Sequence, residues 1–179
     1  MRKITLFISS SIDGYIATPD GDLEWLIEYP NPEQIDCGLK IFLSQVDTVI
    51  MGGKTYRNFS SMDINWPYRN KKTYVISNTT HENISDLNIS FITENVIEEI
   101  TAIKNDNGRD IGLVGGGVLT KMLLQANLID EMIITTVPVL LGGGIPLFPP
   151  YYEMSSWNIY KSNLYTNGLL QVYYYKTKV

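Results

Sequence analysis

The feature that most constrains this chain is a set of strand-length segments made almost wholly of apolar residues: Thr48-Val49-Ile50-Met51, Thr73-Tyr74-Val75-Ile76-Ser77 and Ile111-Gly112-Leu113-Val114. A strand with one wet face alternates apolar and polar residues, so near-continuous apolar strands call for a sheet covered on both faces, the usual state of parallel strands. Between them the apolar spacing changes to three and four: Ile35, Leu39, Phe42 and Leu43 within 32–45, Val96, Ile97, Ile100 and Ile103 within 95–104, and Leu119, Met122, Leu123 and Ala126 within 118–127. These spans read as helices, and 3–9, 89–92 and 132–139 as further strands. The chain ends differently, with aromatic runs at 157–165 and 169–175 flanking Thr166-Asn167-Gly168. Asn-Gly between strands is the strongest short-range hairpin signal. The expectation is one α/β domain over 1–179 with a mainly parallel sheet, covering helices and an antiparallel C-terminal hairpin.

Residues 10–31 read as a long loop punctuated by Asp13-Gly14 and Pro19-Asp20-Gly21. In a compact domain such a loop is usually a binding loop or lid. With 14 Lys+Arg against 19 Asp+Glu the net charge is −5, which leaves no basic stripe for a nucleic acid backbone. One cysteine, Cys37, makes no internal disulfide, and the expected compartment is the cytoplasm. The apolar run at 4–8 is too short for a signal peptide, and no stretch reaches the ~18 apolar residues of a membrane span.

Three glycine clusters follow or flank expected strands: Met51-Gly52-Gly53-Lys54-Thr55, Val114-Gly115-Gly116-Gly117 and Leu141-Gly142-Gly143-Gly144. The first ends like a P-loop but lacks that motif's earlier glycine, since position 48 is Thr48. The second lies between a buried strand and the first turn of a helix. It is either a tight strand-to-helix turn or an anion cradle, where glycines let backbone N–H groups approach a pyrophosphate. The single histidine, His81, lies in a polar stretch and reads as a surface residue. Asp20, Asp22 and Glu24 form the first loop's carboxylate cluster and read as solvated loop charges rather than metal ligands, so no metal is expected.

Taken in order, Ser11-Ile12-Asp13-Gly14-Tyr15-Ile16-Ala17, Val49-Ile50-Met51-Gly52-Gly53-Lys54-Thr55-Tyr56, Val114-Gly115-Gly116-Gly117, Leu128-Ile129-Asp130-Glu131 and Pro138-Val139-Leu140-Leu141-Gly142-Gly143-Gly144 resemble the dihydrofolate reductase superfamily. The nearest branch is that of the reductase domain at the C-terminus of the bifunctional riboflavin biosynthesis protein. The resemblance implies a dihydrofolate-reductase-like three-layer αβα sandwich, NADPH as hydride donor, frequent homodimers, and an activity like that of 5-amino-6-(5-phosphoribosylamino)uracil reductase. It also assigns residues. Ser9, Ile16 and Ala17 would hold the nicotinamide carboxamide, and Trp25 would stand on the cofactor side. Gly52, Lys54 and Thr55 would sit on phosphates, Ser77 and Asn78 would meet the adenosine ribose, and Gly115, Gly116, Gly117, Val118 and Leu119 would carry the pyrophosphate. Where the riboflavin branch has charged or polar residues, this chain has Phe7, Phe59 and Val114, which leaves the substrate open.

Hydride transfer must be matched by a proton, and two carboxylates are candidates. Asp36 is expected on the helix 32–45, where folate reductases place a pterin-facing carboxylate. There it would be partly desolvated and act as the acid, or be an ordinary acidic residue at a helix start. Asp13 is expected to orient the long loop. The alternatives to a riboflavin-type reductase are a dihydrofolate or other pterin reductase, and an NADP(H)-binding module without turnover. Six aromatics of the C-terminal hairpin, Trp157, Tyr160, Tyr165, Tyr173, Tyr174 and Tyr175, point to a homodimer interface or to packing on the domain's own helices.

Overall fold

The computed structural model describes residues 1–61, 66–79, 88–150 and 153–177. Its frame is an eight-stranded sheet. The strands are β1 (Ile4–Ser11), β3 (Val46–Gly52), β4 (Lys72–Ile76), β5 (Ile89–Ile92), β6 (Asp110–Leu113), β7 (Glu131–Val137), β9 (Trp157–Leu164) and β10 (Leu170–Lys176). A short ribbon of β2 (Tyr15–Ala17) and β8 (Ile145–Pro146) stands apart from it. The helices are α1 (Glu24–Ile27), α2 (Leu39–Gln45), α3 (Gly53–Ser61), α4 (Val96–Asn105) and α5 (Gly117–Gln125). Strand order is β5-β4-β3-β6-β1-β7-β10-β9, parallel through β7 and antiparallel at the hairpin β9–β10.

The apolar strands are buried on both faces because period-two alternation delivers their side chains to two separate cores. On one face Ile4 and Leu6 of β1, Ile50 of β3 and Ile111 and Leu113 of β6 pack with Ile100 of α4 and Leu119 and Leu123 of α5. On the other, Val49 and Met51 of β3 and Val75 of β4 pack with Phe42 of α2 and Tyr56 of α3. The result is a three-layer αβα sandwich. Gly112 is what lets α2 lie close, since a Cβ there would stand 2.7 Å from the Phe42 ring. Phe42 in turn stacks on Phe7 at 4.6 Å.

Charge clamps hold the N-terminal ends of the strands. Buried Arg2 bonds the carbonyl of Arg109, the Thr48 hydroxyl at 2.6 Å and the Asp47 carboxylate, while buried Lys104 pairs with Asp130. The opposite, C-terminal ends of the parallel strands stay open. There β3 passes into α3 on one face of the sheet and β6 into α5 on the other, and neighbouring connections that part in this way leave a crevice.

Two stretches differ from the sequence expectation. The segment 10–31 contains β2 and α1 rather than one loop, because the ribbon β2–β8 is closed by residues 145–146, far beyond the reach of local periodicity. The helix expected over 32–45 begins only at Leu39. Gln34, Cys37 and Gly38 all have φ in the left-handed region (52°, 48° and 72°), which a helix cannot absorb. Asp36 is therefore not on a helix and not desolvated. It is exposed, and its carboxylate accepts the amides of Gly38 at 2.9 Å and Lys40 at 3.2 Å at the start of α2. The remaining expected elements are present, with ends shifted by no more than two residues. His81 falls outside the described residues.

Candidate active site

A cavity of about 880 Å³ occupies the crevice at the C-terminal ends of β1, β3, β4 and β6. Four groups of residues build its wall. Ser9 comes from β1, with Ile16 and Ala17 from β2 opposite. Gly52, Lys54 and Thr55 come from the turn of β3 into α3, and Ser77 and Asn78 follow β4. Gly115, Gly116, Gly117, Val118 and Leu119 come from the turn of β6 into α5. Every residue expected on the cofactor thus faces this one cavity, apart from Trp25. Trp25 sits on α1, outside the lining, with its indole N–H buried and without a hydrogen-bond partner among the described residues.

Two helix N-termini, those of α3 and α5, meet at the cavity. The first amides of a helix have no partner within it, and the dipole makes that end positive, so both ends suit an anion. Close packing requires glycine at two of these positions. A Cβ on Gly117 would overlap the carbonyl oxygen of Pro146, and one on Gly53 would stand 2.9 Å from the Ser77 hydroxyl. Gly115 has φ 101°, a left-handed value. Gly116 differs, since a Cβ there would meet only the Thr55 hydroxyl, at 3.8 Å. The third cluster serves the ribbon instead. Gly144, at φ 148°, lets the chain pass directly over the Ala17 carbonyl and so closes β2 against β8.

Two cations line the cavity, Lys54 and Arg57, both exposed on α3. Arg57 was not singled out from the sequence, although its spacing of three from Lys54 puts both on one side of the helix. The Lys54 side chain lies over the Gly21 turn. That turn consumes its own carboxylates: Asp20 accepts from the Thr18 hydroxyl at 2.5 Å and Asp22 from the Glu24 amide at 2.5 Å. The Thr18 bond holds the Asp20 carboxyl below its ordinary range. Among the described residues no group of carboxylates, histidines and cysteines could hold a metal ion.

Asp13 lies outside the cavity lining. It accepts the Ser11 hydroxyl at 2.6 Å and the amides of Leu141 at 3.2 Å and Gly142 at 2.7 Å, and these bonds, the Ser11 one foremost, hold its carboxyl below the ordinary range. It thereby ties the turn after β1 to the glycine loop that precedes β8.

A second hollow of about 320 Å³ adjoins the first and shares Phe7, Ser9, Leu26 and Leu39 with it. Asp36 opens onto it, with Asn31, Tyr29 and Thr135. Behind its wall Gln171, fully buried, donates to the Cys37 carbonyl at 2.8 Å and to the Thr135 hydroxyl at 2.9 Å and accepts from the phenols of Tyr165 and Tyr173 at 2.9 and 2.7 Å. Burial pushes both phenols above their ordinary pKa. Sequence reading missed Gln171, because a lone glutamine in a tyrosine-rich strand carries no motif.

The two hollows lie side by side and share one wall, and comparison with known proteins places the fold that builds them. A structure from Shewanella sp. PV-4 described as a putative riboflavin biosynthesis protein is 35% identical, with a TM-score of 0.83, over 98% of this chain and 99% of that one. The fold is shared with dihydrofolate reductase from Enterococcus faecalis complexed with NADP(H), at 18% identity and TM-score 0.69 over 98% and 97% of the two chains. It is shared also with a diaminohydroxyphosphoribosylaminopyrimidine deaminase/5-amino-6-(5-phosphoribosylamino)uracil reductase from Thermotoga maritima, at 13% identity and TM-score 0.73, where the match covers 98% of this chain and 57% of the larger one. The model of the RibD C-terminal domain matches residues 2–170, and the chain belongs to that family.

Proposed function

We propose that the protein is an NADPH-dependent reductase of the riboflavin-biosynthesis type that reduces a C=N or C=O bond in a small heterocycle. The observation that carries this reading is the meeting of two helix N-termini, the Gly115–Gly117 turn and two cations on one cavity beside a second, smaller hollow. The named reductases that share the fold support it, as does the NADP(H) complex of the Enterococcus faecalis enzyme.

The residues fit the cofactor. The amides at the start of α5 would hold the pyrophosphate, Lys54 and Arg57 would neutralise phosphate charge, and Ser9, which lines both hollows, would hold the nicotinamide together with Ile16 and Ala17 of the larger one. Bound there, NADPH would supply the hydride. Phe7, Leu26 and Leu39 form an apolar wall that keeps water from the meeting point of the two ligands. Asp36 is the one carboxylate lining either hollow among the described residues, and it supplies the proton directly or through a water. Asp13 acts by holding the loops. The exposed Ile159, Tyr160 and Leu164 on edge strand β9 support a homodimer through that edge.

Titration with NADPH and NADH tests the reading. NADPH binds with micromolar affinity or better and NADH at least about tenfold more weakly, because Lys54 and Arg57 favour the extra phosphate. Failure to bind either cofactor overturns it, and equal affinity withdraws the preference.

A further inference from the structure

We propose that Tyr68 selects the compound that shares the larger cavity with the cofactor: its hydroxyl donates a hydrogen bond to the carbonyl oxygen of a flat, uncharged ring system seated against Phe59 and Val114. The inference rests on the reductase reading above and adds to it a specificity residue and a ligand class. The larger cavity reaches both cores of the sandwich. Ile8, Ile16, Ile76 and Leu119 line it from the core beneath α4 and α5. Phe7, Leu39, Phe59, Tyr68 and Val114 line it from the core beneath α2 and α3, and no charged side chain belongs to that second group.

Tyr68 brings an unanswered polar atom to this apolar side. It is 5% exposed and lines the cavity. A buried phenol normally finds a partner, as those of Tyr165 and Tyr173 do on Gln171. The Tyr68 hydroxyl has no hydrogen bond among the described residues. Nor is it sealed in, since the enclosed polar atoms without partners are those of Trp25, Thr73 and Thr120. The oxygen therefore keeps accessible surface, and the cavity is where Tyr68 offers it. Burial pushes the phenol up to about 12, so near neutral pH it holds its proton and is ready to donate.

The ring that carries this donor is fixed before anything binds. Tyr68 meets Phe59 edge-on at 5.7 Å and Trp66 edge-on at 5.5 Å, and Phe59 meets Trp66 at 6.0 Å. A donor held in place loses little freedom when an acceptor arrives. The two cations of the cavity lie apart from it, Lys54 over the Gly21 turn and Arg57 beside Gly53, where Ser77 also comes close. A phosphate or a polyol laid against Phe59 and Val114 would give up its bonds to water with one hydroxyl to replace them, a costly exchange. A flat ring bearing a single carbonyl gives up little, gains contact with the apolar walls and satisfies the phenol.

The test compares 4-chromanone with chroman, which has a methylene where the ketone stands. Each is titrated into the full chain saturated with NADP+, with binding read by calorimetry. 4-Chromanone binds at millimolar concentration or below and at least about tenfold more tightly than chroman, and in Tyr68→Phe the two bind alike. That variant removes an oxygen with no protein partner, so its thermal melt matches the parent's. Equal binding of the two compounds by the unaltered protein overturns the inference. So does failure of 4-chromanone to bind at millimolar concentration, or a preference for it that survives in Tyr68→Phe. A variant that melts far below the parent overturns it too, because the hydroxyl would then be bonded within the protein. NADPH titrated alone keeps the two readings apart: loss of cofactor binding defeats the reductase reading, whereas a missing ketone preference with NADPH bound defeats only this one.

Discussion

Replacing Gln171 with leucine should destabilise the protein by about 3 kcal/mol, although Gln171 lines neither hollow. Gln171 is fully buried, and its amide nitrogen satisfies the carbonyl of Cys37 and the hydroxyl of the buried Thr135. Leucine fills a similar volume but leaves both acceptors without a donor, at about 1–3 kcal/mol each. The phenols of Tyr165 and Tyr173 also lose their acceptor, but both side chains are only partly buried and recover a water. Two stranded acceptors at mid-range, less about 1 kcal/mol gained by burying an apolar side chain, give the total. In a chain of this size that lowers Tm by about 6–12 °C. Urea denaturation followed by circular dichroism measures the loss at constant slope m. Gln171→Glu keeps acceptors for the two phenols, removes the donor and buries a charge, so it should lose more. A loss under about 1 kcal/mol for the leucine variant, or a glutamate variant as stable as the parent, would show that the network is not what holds residues 35–38 against the sheet.

Adjacent glycines should separate packing from binding. Gly117→Ala, whose Cβ overlaps the Pro146 carbonyl, loses about 2–3 kcal/mol, whereas Gly116→Val, with room on the protein side, leaves the fold largely intact and abolishes NADPH binding; calorimetric titration and thermal melts of both variants check this. Burial pushes the Tyr68 phenol up to about 12 from 10.0, so folding favours its neutral form. That contribution is whole below pH 10 and is lost as pH rises toward 12, by about 3 kcal/mol, which tyrosinate absorbance and alkaline denaturation would follow together. Asp36→Asn should lower turnover about 10²- to 10⁴-fold with NADPH affinity unchanged, and full activity would pass the proton to water alone. Light scattering at micromolar concentration should give twice the 20.3 kDa of one chain, and a monomer would end the proposal of an edge-strand dimer.

The sheet was legible in the residue order because burial on both faces leaves a direct mark: a covered strand is as apolar as 48–51 or 111–114, and at that length between turn signals a strand is favoured over a helix. The Asn-Gly turn likewise announced the hairpin from purely local chemistry. The turns that wall the larger cavity were legible through glycine, since close approach of the Ser77 side chain at Gly53 and of the Pro146 carbonyl at Gly117 leaves no room for a Cβ. What escaped were features set by partners far away in sequence. Apolar spacing extended α2 back to Pro32, but left-handed residues at Gln34, Cys37 and Gly38 are held by bonds such as that from Gln171 to Cys37, 134 residues apart, and tertiary contact overrode periodicity there. Asp36 was thereby moved from an apolar helix face to an exposed turn beside the second hollow. The aromatic hairpin shows the same limit. Trp157 and Tyr174 pack on one core and Tyr173 on the other, which leaves Tyr160 and Tyr175 as its exposed aromatics. Composition names a residue as fit for burial, but only the sheet order decides which face it meets. The segregation of Lys54 and Arg57 from Asp36 is of the same kind, because the crossing of chain connections over the sheet, rather than any spacing along it, sets which charges share a cavity.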